Sequence, residues 1–355
     1  MKDTKRSFEK RDTLVVKGVA ILLLLFYHLF ESQELLVTLE VDHRPFSQEI
    51  FLMLSGFGNI CVAAFAFLSA FGITRGLETD ERAGTYGFQQ SLGKAGRRCL
   101  KLIGGFLAMY VSVNVLWFSH FDYVKLYGGG WQGGVNAVID MLGLAQILST
   151  PTLNMTWWYM ELAVLIIFLV PLLYPLVKKA GRYLIVPALL LPTVFQMGED
   201  VRRYYIVVLF GMLAAHEEWL EKLFSRKINR GVKLLLGLTF LALAVVFRQN
   251  YMIHTYFLWI VDAPIALFLC WLVAEFLSGI PGLSHVLAFL GRHSMNMFFV
   301  HTFFYMILFR DFIYSFRYAW LIFPVLVVVS LAYSVALELV KSVRRFFKAS
   351  KDTRQ

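Results

Sequence analysis

The feature that most limits the fold of this chain is a series of long apolar runs. Stretches near the roughly 20-residue length that spans a hydrocarbon core lie at about 14–31, 57–76, 99–119, 156–177, 182–198, 201–216, 231–249, 256–277, 286–309 and 318–340. A backbone in lipid must satisfy its own hydrogen bonds, so runs of this kind fold as helices. They lack the short alternation of a membrane barrel. The expected fold is all-α: a polytopic transmembrane helical bundle of about ten spans. Of the 355 residues, 58% are hydrophobic and 16% charged, against about a quarter charged in a soluble domain. A single membrane domain is expected over residues 1–345, followed by a basic cytoplasmic tail at 346–355.

Loop charge sets the expected orientation. The net charge is +10, but Lys and Arg sit between apolar runs, so orientation in the membrane explains them and no nucleic-acid partner is expected. "MKDTKRSFEKRD" adjoins the first run, "RGLETDERAGTYGFQQSLGKAGRR" the second loop and "KKAGR" a later one; all read as cytoplasmic. "ESQELLVTLEVDHRPFSQE" is acidic and reads as outside. Ten spans with both termini cytoplasmic satisfy this pattern. The short run at 135–149 then lies along the outer interface or re-enters. Arg202 and Arg203 are the exception, falling outside beside Glu199 and Asp200. Trp157 and Trp158 are expected in an outer aromatic belt. The first run reads as a retained helix, because no small-residue cleavage site follows it. Cys61, Cys99 and Cys270 have no metal-type or disulfide-framework spacing, and no metal is expected.

Ionisable residues inside the runs are the candidates for function, since hydrocarbon makes them costly. Lys17 and His28 are eleven residues apart, close to three helical turns, so both project from one face roughly 16 Å apart. An imidazole can exchange a proton near neutral pH, which suits a general base. The plain alternatives are a snorkelling lysine and a histidine bonded to a neighbouring helix. His301 lies nine residues beyond Arg292, with Ser294 on the same face. It suits a substrate path or an interhelical hydrogen bond equally well. Glu161 and Asp262 sit about one turn into their spans. Glu161 is expected near His28 in depth, where it could orient the ring. "GKAGRRCLKL" gathers Lys94, Arg97, Arg98 and Lys101 where the third span begins. Arg offers a rigid fork for phosphate and Lys a point charge, though simple positive-inside charge gives the same pattern. No phosphate loop, nucleophile elbow, HExxH or nucleic-acid module is present.

Five stretches, in order, resemble the integral membrane acyltransferase family 3. "KGVAILLLLFYH" resembles its first helix, with Lys17 at the usual Arg position. "CVAAFAFLSAFGITRG" resembles its second, with Ala70 where Gly is usual. Arg98 and Lys101 resemble the basic pair that opens its third, with Lys94 and Arg97 as another register. "MTWWYMELAVLIIFLVPLL" carries Trp157, Glu161 and Pro171, and "LGRHSMNMFFVH" carries Gly291, Ser294 and His301. Lys for Arg gives up bidentate geometry, and Ala for Gly holds two helices slightly farther apart.

The resemblance implies acyl transfer from cytoplasmic acyl-CoA, usually acetyl-CoA, to a hydroxyl of an envelope glycan or lipid-linked saccharide, in a multi-pass protein of the bacterial cytoplasmic membrane. On that reading CoA phosphates meet Arg98, Lys101, Arg97 and Lys17. His28 is the general base, Glu161 orients it, and His301, Ser294 and Trp157 position acyl group or acceptor. The scheme requires the His28 imidazole to be reachable from both aqueous sides. The rival is a proton-coupled transporter or flippase of a glycan intermediate, with His and Glu as the relay; the inverted repeats common in transporters are not visible. Membrane lipids are the expected surroundings, and a homo-oligomer is left open.

Overall fold

Helix follows the apolar runs nearly throughout. A computed structural model describes residues 6–196, 198–250 and 257–352; residues 1–5 of the basic start and 353–355 of the basic tail lie outside these. The helices in chain order are α1 (Lys10–Phe30), α2 (Gln33–Thr38), α3 (Gln48–Phe57), α4 (Ile60–Arg82), α5 (Phe88–Leu116), α6 (Tyr123–Tyr127), α7 (Gly130–Met141), α8 (Tyr159–Ala180), α9 (Ile185–Val194) and α10 (Glu199–His216). The second part of the chain adds α11 (Trp219–Phe224), α12 (Arg230–Arg248), α13 (Leu258–Phe276), α14 (Leu283–Thr302), α15 (Arg310–Ser315) and α16 (Ala319–Asp352). No strand occurs among the described residues; one isolated bridge joins Asp42 to Tyr318.

Among the described residues, seven helical stretches are long and apolar enough to cross a membrane: Lys10–Phe30, Gln48–Arg82, Phe88–Leu116, Met155–Pro192, Arg230–Arg248, Leu258–Phe276 and Ala319–Ser342. The chain is therefore an all-α polytopic bundle. Two more of the expected runs, at 201–216 and 286–309, form α10 and α14, which are more polar and lie in the core. The run expected at 182–198 differs. Its helix α9 has ten residues, about 15 Å of rise, too short to cross by itself. The 135–149 region holds the end of α7 and a run of turns, and it does not form a spanning helix.

Local chemistry sets the ends of α1. A capping box starts the helix, with the Glu9 amide donating to Asp12 Oδ2 at 2.9 Å. Straight-chain and small apolar residues then carry it to Phe30, and Val15, Ile21, Leu24, Leu25 and Leu29 are fully enclosed.

The central contact is between α1 and α14, and glycine makes it close. A methyl group on Gly18 would stand 2.1 Å from the Leu287 carbonyl oxygen, and one on Gly291 would stand 1.9 Å from that of Leu14. Small residues let membrane helices approach to backbone contact, and here each helix supplies one. Starting from this crossing, His28 is ten residues along α1 and His301 ten residues along α14. The helices run in the same direction, so equal rises of about 15 Å bring the two histidines to the same level. A second tight pair joins α10 to α4. Gly211 faces the Phe67 carbonyl and Ala70, with 3.0 Å between the Ala70 Cβ and a methyl placed on Gly211. The close approach expected to suffer from alanine at position 70 is restored by glycine on the partner helix.

Candidate active site

The two membrane histidines meet. The rings of His28 and His301 are 5.0 Å apart between centroids and tilted by 41°. His301 is fully buried. Its Nδ1 lies 2.7 Å from the Phe298 carbonyl oxygen. A carbonyl only accepts, so Nδ1 carries a proton, and in the neutral form of the ring Nε2 is the bare nitrogen. Thr302 Oγ1 lies 3.4 Å from that Nε2 and 3.3 Å from Thr156 Oγ1. Immediately beyond, at Phe303–Leu308, the chain widens into a π-helical turn, a distortion often found where a helix carries function. His28 keeps 20% exposure of its side chain, and its Nδ1 faces Glu31 Oε1 at 3.7 Å, one turn along the same helix.

Glu161 therefore does not hold the place expected of it. It is buried and accepts a hydrogen bond from the Ile147 amide at 2.9 Å, which ties the turn after α7 to the start of α8. Depth alone suggested the pairing with His28, but a carboxylate three residues along the same helix reaches the ring first. Trp157 also departs from expectation. It is buried rather than in a belt, and its Nε1 donates to the Phe299 carbonyl oxygen at 3.0 Å. Phe106, Tyr110 and Phe303 surround its ring. Trp157 thus braces α14 two residues before His301.

On the side where α1 begins, here called the basic end, a cavity of about 160 Å³ lies inside the bundle. Lys17, Ser69, Tyr159, Ser294 and Phe298 are among its walls, which are otherwise apolar. Ser294 is buried and donates to the Gly291 carbonyl at 3.0 Å. Phe298 stands between this cavity and the histidines, its ring edge-on to that of His301 at 6.1 Å. Among the described residues, no carboxylate comes within 4.0 Å of Lys17, Arg97, Arg98 or Lys101, whereas the neighbouring Lys94 pairs with Asp80 at 2.6 Å. Arg97 and Lys101 are exposed. Arg98 is half-buried and lays its guanidinium over Gly76, where a methyl would meet Nη2 at 3.2 Å. Sequence predicted this basic cluster, and the structure adds that, among the described residues, Arg97, Arg98 and Lys101 have no carboxylate partner while Lys94 does.

At the opposite end, beside His28, a second cavity of about 660 Å³ is lined by Tyr27, Glu31, Glu49, Asn59, Arg203 and Arg248. Arg248 is buried and grips the fully buried Asp262 through Nε at 2.8 Å and Nη2 at 3.2 Å. Arg203 approaches the same carboxylate at 3.9 Å and donates to Asn59 Oδ1 at 2.5 Å. Asp262 is thus half of a buried ion pair, and Arg203 is the positive residue that loop charge could not accommodate. Glu31 and Arg248 were missed in the sequence. The i, i+3 spacing from His28 could have given Glu31, but nothing local links Arg248 to Asp262.

Among the described residues no group of three His, Cys, Asp or Glu is disposed to hold a metal ion, and the three cysteines are free thiols.

A family model for an acyltransferase domain, that of acyltransferase family 3, matches residues 15–339. The chain belongs to acyltransferase family 3. The match takes in α1 with its Lys17 and His28 and continues into α16, so both cavities and the histidine pair lie inside the acyltransferase domain. No curated protein and no solved structure matches the chain. This family-3 protein is a multi-pass membrane acyltransferase.

Proposed function

We propose that the protein transfers an acyl group, most simply acetyl, from cytoplasmic acyl-CoA to a hydroxyl of an envelope glycan or lipid-linked saccharide, in a bacterial cytoplasmic membrane. The observation that carries this reading is the His28–His301 pair, set between a basic-end cavity with an unpaired cation and a polar cavity at the other end. The basic end is the cytoplasmic one. CoA phosphates dock on Arg98, Lys101 and Arg97, whose charge no carboxylate among the described residues neutralises. A half-buried lysine with no counterion in an apolar wall is costly, and an anionic or carbonyl oxygen of the donor relieves that cost at Lys17. The pantetheine arm follows the cavity past Ser294 toward Phe298, which turns aside to admit the thioester.

The acceptor enters from the other side. His28 takes the proton of its hydroxyl as the oxygen attacks the thioester carbonyl. The C–S bond breaks, the ester forms, and the His28 proton passes to the departing thiolate, leaving CoA–SH. Glu31 takes the orienting role assigned in sequence to Glu161, holding the ring by the triad logic of a base and a third group. His301, with Nε2 bare, accepts a hydrogen bond from the acceptor and so keeps it in line.

The test is label transfer from radiolabelled acetyl-CoA by purified protein to envelope saccharide. Positioned general-base action contributes about 10²–10⁴-fold, so His28→Ala should lose transfer by that factor with the protein still inserted. Near-native transfer by that variant would remove the assignment. Movement of the saccharide across the membrane without label would favour a transporter instead.

A further inference from the structure

The polar cavity beside His28 contains more charge than base catalysis needs, and its charges are unequally satisfied. Arg248 and the buried Asp262 neutralise one another through two bonds. Arg203 stands 3.9 Å from Oδ2 of that carboxylate, bonds a neutral amide, Asn59, and lies over the Tyr204 ring at 5.4 Å. Its buried Nε has no acceptor among the described residues. The side chain still keeps 28% exposure. Two guanidinium groups therefore share one carboxylate at the floor of the cavity, and the surplus positive charge sits on Arg203.

The opposite wall is acidic. Glu31 is committed to His28, and Glu49 is exposed at the mouth. Charge exposed to water is strongly screened, whereas a sunken guanidinium is less so. The field deep in the cavity is therefore set by Arg203 and that at the rim by Glu49. The Tyr27 hydroxyl, one residue from the catalytic histidine, faces Asn59 and Glu31. Arg203 is thus two side chains away from the reacting position.

We propose that this cavity is the acceptor subsite and that Arg203 selects an acceptor bearing an anionic oxygen, carboxylate or phosphate, next to the hydroxyl to be acylated. The inference rests on the acyl-transfer reading and names the substrate class for it. A guanidinium binds such oxygens by charge-assisted hydrogen bonds. A carboxylate would belong to an acidic sugar, and a phosphate to the carrier of a lipid-linked one.

Three small probes separate these cases when titrated into the full-length protein in detergent and followed by ligand NMR without any acyl donor. They are methyl glucuronide, glucose 1-phosphate and methyl glucoside. One charged probe is expected to bind about tenfold more tightly than the neutral one, the worth of a single hydrogen bond to a charged group. Preference for the glucuronide identifies the carboxylate source and preference for the phosphate identifies the carrier. R203Q should bring charged and neutral probes close to parity, and R203K should keep part of the preference. Equal binding of all three probes by the native protein overturns the proposal, and so does a preference that survives in R203Q. Because no donor is present, the outcome is separate from that of label transfer. Transfer without charge preference sinks this inference alone, and charge preference without transfer sinks the acyltransferase reading of the cavity's partner chemistry.

Discussion

The cavity at Lys17 and the cavity at Arg203 are both walled by α1, yet they treat charge in opposite ways. The first is apolar and contains one ammonium with no carboxylate in reach among the described residues. The second is polar and interlocks its charges, with Asp262 shared between Arg248 and Arg203. A buried charge that serves the fold comes with its partner, because breaking such a pair leaves an uncompensated ion. A buried charge kept single does little for the fold and is best explained by a ligand. Asp262 and Arg248 therefore belong to the architecture, and Lys17 is the charge that the proposed donor site would use.

Substitutions can break that comparison. The largest effect is expected at neither cavity but at the crossing that sets them in register. Gly291→Ala forces a methyl to within 1.9 Å of the Leu14 carbonyl unless α1 and α14 part. Transfer should fall as far as for His28→Ala, about 10²-fold or more. Gly72→Ala, on α4 with nothing within 4 Å, should leave transfer intact in the same assay. Asp262→Ala comes next and should destabilise the protein by roughly 3–5 kcal/mol, read by denaturation in detergent. Lys17→Met provides the contrast. Its melting temperature should hold or rise while the KM for acetyl-CoA increases by about tenfold. A loss of stability equal to that of Asp262→Ala would erase the distinction between the two cavities. The smallest effect is that of Glu31→Gln. It should lower kcat several-fold with the donor KM unchanged, and Glu31→Asp should recover part of the loss, as a positioning role requires.

Much of the fold was legible in the sequence because lipid imposes one rule on every span. Apolar length gave α1, α8, α12 and α13 to within about four residues at each end, and the apolar part of α4, α5 and α16, whose polar ends run six to twelve residues farther, at the end of α4 and α16 and at the start of α5. It failed at 182–198, where a run counted as a span forms only the ten-residue α9. The site was legible where its residues carry a cost in lipid. His28, His301 and Lys17 stood out for that reason; the two histidine rings meet and Lys17 lines the basic-end cavity. Glu161 and Trp157 were placed by depth and by a compositional habit of interfaces, and neither measure specifies a partner. Glu161 bonds the Ile147 amide and Trp157 the Phe299 carbonyl. Arg248 and Asp262 come together from adjacent helices through side-chain reach, which a hydropathy profile does not encode.

The matched spacing on α1 and α14 has an evolutionary corollary. One residue inserted between Gly18 and His28 would swing the imidazole through about 100° and lift it by about 1.5 Å, away from a partner that had not moved. Neither segment can change its length alone without parting the rings, and because the two run side by side from a shared contact, a matching insertion in both would raise the histidine pair as a unit. The distance from glycine to histidine is thus a single inherited dimension written twice in the chain, and across descendants of this protein it should stay constant or change in both places together.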